Sequence, residues 1–238
     1  MMNSKGFTEL FESEYGTLLL HSFDTNQTDA LKATKRAFDH DEFMLYKKHH
    51  EDSGGGIVLD VGANYGLFSL IMSENPDTKV YGFEPQPDVF NICCANIALH
   101  SRNNVRIFPF GVGNVEGVAS FKMPVIDPYT RTSFGSHEIH NGAREYNNVT
   151  GHVNAFLTGI DWFVDTIIGE RVNFIKIDVE GMELEVLRGA QRTLSRKDAP
   201  VLAVEILKVG LQPVIDTLNS FGYNRYEGVQ GNIIAIKQ

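Results

Sequence analysis

The strongest constraint on this chain is an alternation. Short runs rich in β-branched and aromatic residues, Ile57 to Val61, Val80 to Phe83, Val105 to Phe110, Phe174 to Ile177 and Val201 to Ile206, are separated by stretches of helical periodicity. Runs that stay apolar without alternating suit strands buried on both faces, as in a parallel sheet. Helical patterns fall near Gly66 to Ser73, Pro87 to Leu99, Ile160 to Ile168 and Gly181 to Leu194. In the last, Met182, Val186, Leu187, Ala190 and Leu194 share one face, whereas Glu183, Arg188 and Arg192 do not. Such repeats imply right-handed crossovers, hence an α/β fold with helices on both faces of a mostly parallel sheet. The tail departs from the pattern. Tyr223 to Tyr226 and Asn232 to Ile236 flank the turn-rich Glu227-Gly228-Val229-Gln230-Gly231, which reads as an antiparallel hairpin.

At 238 residues the chain can bury one sizeable core. Gly54 to Gly56 reads as a hinge, dividing an N-terminal helical cap and lead-in (1–53) from a Rossmann-like domain (54–238). The cap carries helical patterns near Asp29 to Phe38 and Glu42 to Lys48. Residues 124–150, rich in Asn, His, Ser, Gly and Thr, are expected to form a substrate loop or lid. With 42% hydrophobic and 21% charged residues the chain is neither disordered nor membrane-like. No run approaches the roughly 20 apolar residues of a membrane span. Met1 to Glu14 mixes Lys5, Glu9, Glu12 and Glu14 and does not read as a secretory leader. The adjacent Cys93 and Cys94 suit reduced thiols, so a cytoplasmic location is expected. A net charge of −9 argues against nucleic acid as a partner.

Chemistry concentrates first in Leu59-Asp60-Val61-Gly62-Ala63-Asn64-Tyr65-Gly66, a strand running into a glycine turn and then a helix. Gly62 and Gly66 let backbone approach a ligand, and the helix N-terminus offers N–H groups to a carboxylate. Asp60, at the strand end, is suited to an ammonium. Glu84-Pro85 ends the next strand, where a carboxylate can accept hydrogen bonds from two ribose hydroxyls. The two features together suit a nucleoside joined to an amino acid. A dinucleotide is disfavoured, because Asn64 stands where the close approach of a pyrophosphate needs glycine.

The third signal is Phe174-Ile175-Lys176-Ile177-Asp178-Val179-Glu180-Gly181-Met182-Glu183, followed by Val186-Leu187-Arg188-Gly189-Ala190. Taken in order with the glycine turn and Glu84-Pro85, it closely resembles the FkbM family of methyltransferases over roughly Glu42 to Ile206. The resemblance implies the class I methyltransferase fold: a Rossmann-like, seven-stranded, mostly parallel sheet with an antiparallel C-terminal hairpin. It also implies S-adenosyl-L-methionine as donor and hydroxyl oxygens of sugars or polyketide-type products as common acceptors. Carried over, it makes Asp60, Gly62, Ala63, Asn64, Gly66, Glu84 and Pro85 cofactor contacts, adds Glu42 near the pocket, and sets Asp178 beside the transferable methyl group.

For catalysis the candidates are Asp178 and Glu205, which end neighbouring strands, and His137 as a general base. Asp178 and Glu205 would orient the acceptor or hold a divalent cation; alternatively Asp178 caps the helix near Gly181 and Glu205 pairs with a lysine. No metal site is assigned; His137 and His140 have a spacing that could hold zinc but read as loop residues. His49 and His50 look like a solvated helix end. Asp161 resembles an N-cap, with Trp162 and Phe163 on a buried face. The expected function is O-methylation of a small molecule or glycan. The alternatives are a non-catalytic S-adenosylmethionine-binding protein and a methyltransferase acting on a protein. Oligomeric state is not readable from the sequence.

Overall fold

In the computed structural model, which describes residues 6–134 and 149–238, the chain opens with a hairpin that the helical reading of 1–53 did not anticipate. β1 (Thr8–Ser13) pairs antiparallel with β2 (Gly16–His21). Its stability is tertiary. Leu18 and Leu20 are fully buried, and Asn96 acts as a strand substitute, its Oδ1 accepting from Leu19 N at 2.7 Å and its amide donating to Leu19 O at 3.2 Å. Two helices follow, α1 (Gln27–Thr34) and α2 (His40–Asp52). Glu42, Phe43, Tyr46 and His50 form the buried face of α2, with Phe43 against Phe68 and Tyr46 against Phe174. The solvated end expected at His49 and His50 is therefore corrected for His50, which is 2% exposed and which burial drives down to about 4.

The alternating region then runs β3 (Ile57–Val61), α3 (Leu67–Met72), β4 (Lys79–Phe83), α4 (Pro87–Leu99) and β5 (Val105–Phe108). The expected strand Val105 to Phe110 breaks at Pro109, where the ladder bond a proline N–H would donate is missing. Beyond it, β6 (Phe110–Val112) joins a different sheet with β7 (Val118–Ile126) and β8 (Val149–Thr158), in the order β6-β8-β7. Both ends of the expected 124–150 loop thus belong to strands, Val125 pairing with Gly151 and Ile126 with Val149. Residues 135–148 lie outside the described residues.

Next come α5 (Ile160–Phe163), running into a π-helical turn over Val164–Ile168, then β9 (Val172–Ile177), α6 (Glu183–Arg188) and α7 (Gln191–Ser195). One helix was expected from Gly181 to Leu194. It breaks at Gly189, where a Cβ would stand 2.1 Å from the carbonyl oxygen of Gly113. The Asp161 carboxylate caps the second piece rather than its own helix, accepting from Arg192 N at 2.7 Å and Thr193 N at 2.8 Å. β10 (Val201–Glu205), α8 (Leu211–Ser220), β11 (Arg225–Val229) and β12 (Asn232–Ile236) complete the chain. The helix α8, unanticipated, buries Val214 and Leu218.

Among the described residues the main sheet has seven strands in the order β11-β12-β10-β9-β3-β4-β5. The five from β10 to β5 are parallel and the terminal hairpin is antiparallel, as expected. Period-two alternation sends Ile57, Leu59 and Val61 to one face with Ile175 and Ile177, and Val58 to the other with Phe174 and Ala203. Asp60, Lys176, Asp178 and Glu205 fall on the second parity, beneath α2 and α3. No described helix is long and apolar enough to cross a membrane, and Cys93 and Cys94 are free thiols in α4.

Candidate active site

β3 and β9 are neighbours, yet the chain leaves β3 toward β4 and leaves β9 toward β10 in the opposite direction. Helices on opposite sides of that switch diverge and leave a crevice beyond the carboxyl ends of the strands. A cavity of about 610 Å³ occupies this position, within the size range of small-molecule sites. Its walls come from residues at or just beyond the strand ends, Gly62 to Asn64, Glu84, Asp178 and Glu205, and from Glu42 and Tyr46 of α2.

Glycine at position 62 is enforced from outside the turn. Its φ is +85°, and a Cβ there would lie 1.8 Å from the Asp178 carbonyl oxygen. Gly66 has φ +79° and packs on α4, with a Cβ site 2.9 Å from Cys93 Sγ. Asn64 has φ 50°, a conformation asparagine tolerates better than most residues. Its Oδ1 is buried without a hydrogen-bond partner among the described residues. The N–H groups of the turn are already paired: Gly62 and Ala63 donate to Phe83 O, Gly66 to Ala63 O, and Asn64 to Glu84 Oε2 at 3.0 Å. The other Glu84 oxygen accepts from Gln86 N at 2.9 Å. Glu84 is thereby held at the cavity wall; burial pushes its carboxyl up to about 7, against the pull of those two N–H bonds. Pro85 lines the wall beside it.

Asp60 is placed differently from its expected role at an ammonium. Its side chain is fully buried beneath the turn, accepting from Ser69 Oγ at 2.7 Å and facing Lys176 Nζ at 3.7 Å. Asp60 and Lys176 are direct partners in the β3–β9 register, so parity alone brings the opposite charges together. Lys176 Nζ also donates to Gly62 O at 3.1 Å and pairs with Asp178 at 3.3 Å. Burial pulls this ammonium down, but Asp178, Asp60 and Asp39 together outweigh it and raise it overall. The lysine ties both sequence motifs into one floor.

The opposite wall is acidic. Glu42 hydrogen-bonds Asp39, and burial, then Asp39, pushes Glu42 up to about 7, while a bond from Asn232 pulls it back. Glu205 is pushed up to about 8, first by burial and then by Asp178, Glu180 and Glu183. Asp178 and Glu205 therefore share the cavity. No side chain caps α6; the loop between Asp178 and that helix is held instead by Glu183, whose Oε1 accepts from Val179 N and Gly181 N at 3.2 and 3.1 Å. Lys208 pairs with Glu180. Among the described residues no group of three or more His, Cys, Asp or Glu is arranged to hold a metal ion. His137 and His140 lie outside the described residues.

The methyltransferase FkbM domain matches residues 60–225, well over half of the chain. The chain belongs to the FkbM methyltransferase family. This FkbM protein is 28% identical over 145 residues to Methyltransferase 1 of Beauveria bassiana, covering 56% of the chain and 57% of the relative. It is 28% identical over 152 residues to hexuronic acid methyltransferase AglP of Haloferax volcanii, covering 63% and 55%. The chain thus spans little more than half the length of either relative. Among solved structures it resembles precorrin-6y C5,15-methyltransferase from Geobacter metallireducens, with a TM-score of 0.52, 12% identity, and coverage of 84% and 89%. At that identity the likeness concerns the fold, the class I methyltransferase architecture.

Several residues of the FkbM cavity were not singled out from sequence, Asp39, Tyr46, Lys176 and Asn232 among them. Lys176 left a signal, since it is a charge inside an apolar strand and shares parity with Asp178. Asp39, Tyr46 and Asn232 left none, because only the folding of α2 and the terminal hairpin over the strand ends brings them to the cavity.

Proposed function

We propose that the chain is an S-adenosylmethionine-dependent methyltransferase that methylates a hydroxyl of a sugar, glycan or other small natural product. The observation that carries this reading is the carboxylate of Glu84, aimed into the cavity by two backbone N–H groups and facing the same space as the glycine turn and Asp178. The donor set fits such a cofactor. Glu84 keeps lone pairs for two ribose hydroxyls, and the unpartnered Asn64 Oδ1 is a buried acceptor awaiting a donor. Bound there, S-adenosylmethionine would supply a methyl group already activated on a sulfonium. Gly62 to Asn64, Glu84 and Pro85, which line the cavity, would hold it, with Gly66 setting the turn against α4, Asp178 beside the transferable methyl group and Glu42 on the same wall. Asp60 acts one step removed, through Lys176. The relative that acts on a hexuronic acid supports a carbohydrate acceptor in the family.

The chain's own work is positioning. Holding a hydroxyl in line with the methyl carbon can supply roughly 7–11 kcal/mol of the barrier. The hydroxyl must also lose its proton. Glu205 is pushed up to about 8 by burial and by neighbouring carboxylates, against the pull of Lys208, and Asp178, held at 3.3 Å from Lys176 at the strand end, is the group proposed to accept the proton.

Calorimetric titration with S-adenosylhomocysteine should give saturable binding, and Glu84→Gln should weaken it about tenfold or more, the worth of a lost charge-assisted pair. Labelled methyl transfer to a panel of sugars and phenols should follow. A folded protein with no affinity for the compound sinks the reading, and binding without any transfer points to the non-catalytic alternative.

A further inference from the structure

We propose that the methyl acceptor carries an ammonium group, held in the cavity by the Glu205 carboxylate and the Tyr46 hydroxyl, so that the chain selects amino-bearing hydroxy compounds such as amino sugars and rejects uronates. The inference rests on the methyltransferase reading above and specifies its acceptor.

The cavity's carboxyl groups, Asp39, Glu42, Glu84, Asp178, Glu180 and Glu205, outnumber its lysines, Lys176 and Lys208. Both lysines are engaged, Lys176 by Asp60, Asp178 and Gly62 O, and Lys208 by Glu180. An acceptor carboxylate entering this space would meet like charge and cations already neutralised, and burying a charge without a partner is costly. An ammonium meets the reverse. The charge class so favoured is opposite to that of the hexuronic acid named for the Haloferax volcanii relative.

Two orphaned atoms give the site a location. Tyr46 lines the cavity at 2% exposure, and its hydroxyl has no hydrogen-bond partner among the described residues. Glu205 Oε2 is likewise buried without one. The Tyr46 hydroxyl lies within the field of Glu42, Asp178, Asp39 and Glu205. Buried polar atoms are almost always paired in folded proteins, and an ammonium, with three donors and no acceptor, can serve an oxygen of each residue at once. A neutral hydroxyl donates to one oxygen and leaves the carboxyl repulsion in place. Burial first, and then the crowding of Asp178, Glu180 and Glu183, raises Glu205, and a cation in the cavity opposes both, which lets Glu205 ionise as the amine binds. Glu205 and Tyr46 are not among the residues assigned to the sulfonium donor, and they share the cavity with Asp178 and Glu42, which are.

The test uses the full chain saturated with S-adenosylhomocysteine and titrated at neutral pH with methyl glucosaminide, methyl glucoside and methyl glucuronide. The glucosaminide should bind about tenfold more tightly than the glucoside, as one charge-assisted hydrogen bond predicts, and the glucuronide should bind more weakly than either. Glu205→Gln and Tyr46→Phe should each shrink the preference for the amine while leaving S-adenosylhomocysteine affinity unchanged. If Glu205→Gln fails to fold, Tyr46→Phe and the comparison of probes on the unaltered chain decide. Equal binding of amine and neutral probe, tighter binding of the glucuronide, a preference that survives both substitutions, or no binding of any probe overturns the proposal. Absence of S-adenosylhomocysteine binding in the unaltered chain overturns the methyltransferase reading instead.

Discussion

At position 62 a side chain has nowhere to go. The backbone is left-handed, and the Asp178 carbonyl oxygen occupies the Cβ site at 1.8 Å, so neither a rotamer change nor a small side-chain shift can make room. Gly62→Ala should therefore cost about 3 kcal/mol or more, combining strain at positive φ with displacement of the β9 terminus. Urea unfolding measures this, and a loss below about 1 kcal/mol would mean that the Asp178 loop yields easily. The damage should extend to ligand affinity, because Lys176 bridges Gly62 O to Asp178 across the same contact. Lys176 itself shows how a buried charge is tolerated: it faces two carboxylates and a carbonyl, so its desolvation is offset on several sides.

Among the elements, α7 is short, and its start depends on a residue from another helix. Asp161 accepts from the N–H groups of Arg192 and Thr193, two donors that α7 cannot satisfy internally. Asp161→Ala should cost about 1–2 kcal/mol, the upper range for a lost cap. The measurement is again denaturant unfolding, paired with S-adenosylhomocysteine titration, since Asp161 does not line the cavity and the affinity should hold. A stability unchanged by the substitution would contradict the capping role. The sheet β6-β8-β7 grows from the same neighbourhood: Gly113 N donates to Thr158 O, and Asp161 N donates to Gly189 O.

Over the whole molecule, the cavity's acidity and the buried histidines set opposite pH trends. Glu42 and Glu84 are raised from 4.5 to about 7 and Glu205 to about 8, burial being the first cause in each. Between the ordinary and the raised values the folded chain binds more protons than the unfolded one, so these groups lower stability as pH rises from about 4.5 to about 8. His21 and His50, lowered by burial from 6.5 to about 4, act the other way, and their contribution is lost as pH falls from 6.5 toward 4. Three raised carboxyl groups outweigh two lowered histidines, and above about pH 6.5 only the carboxyl groups still change, so scanning calorimetry of the ligand-free chain should give a higher Tm at about pH 6.5 than at about pH 8.5. A Tm that climbs steadily toward pH 8.5 would rule out three carboxyl groups buried in this way.

The strands, the glycine turn, Glu84 and the terminal hairpin were legible because each is a local pattern. A run of β-branched residues, a glycine spacing or a turn-rich pentapeptide fixes backbone conformation over a few residues. What the sequence alone could not supply was anything decided by contact between distant segments. The hairpin β1–β2 depends on Asn96, the break at Gly189 on the carbonyl of Gly113, and the seclusion of Asp60 on Lys176 in the neighbouring strand. The polar wall formed by Asp39, Glu42, Tyr46 and Asn232 exists only once α2 and β12 close over the strand ends. Local sequence determined the frame of this molecule, because backbone preference and hydrophobic period are short-range. Tertiary structure decided the character of its cavity, because burial and charge proximity belong to residues that meet only on folding.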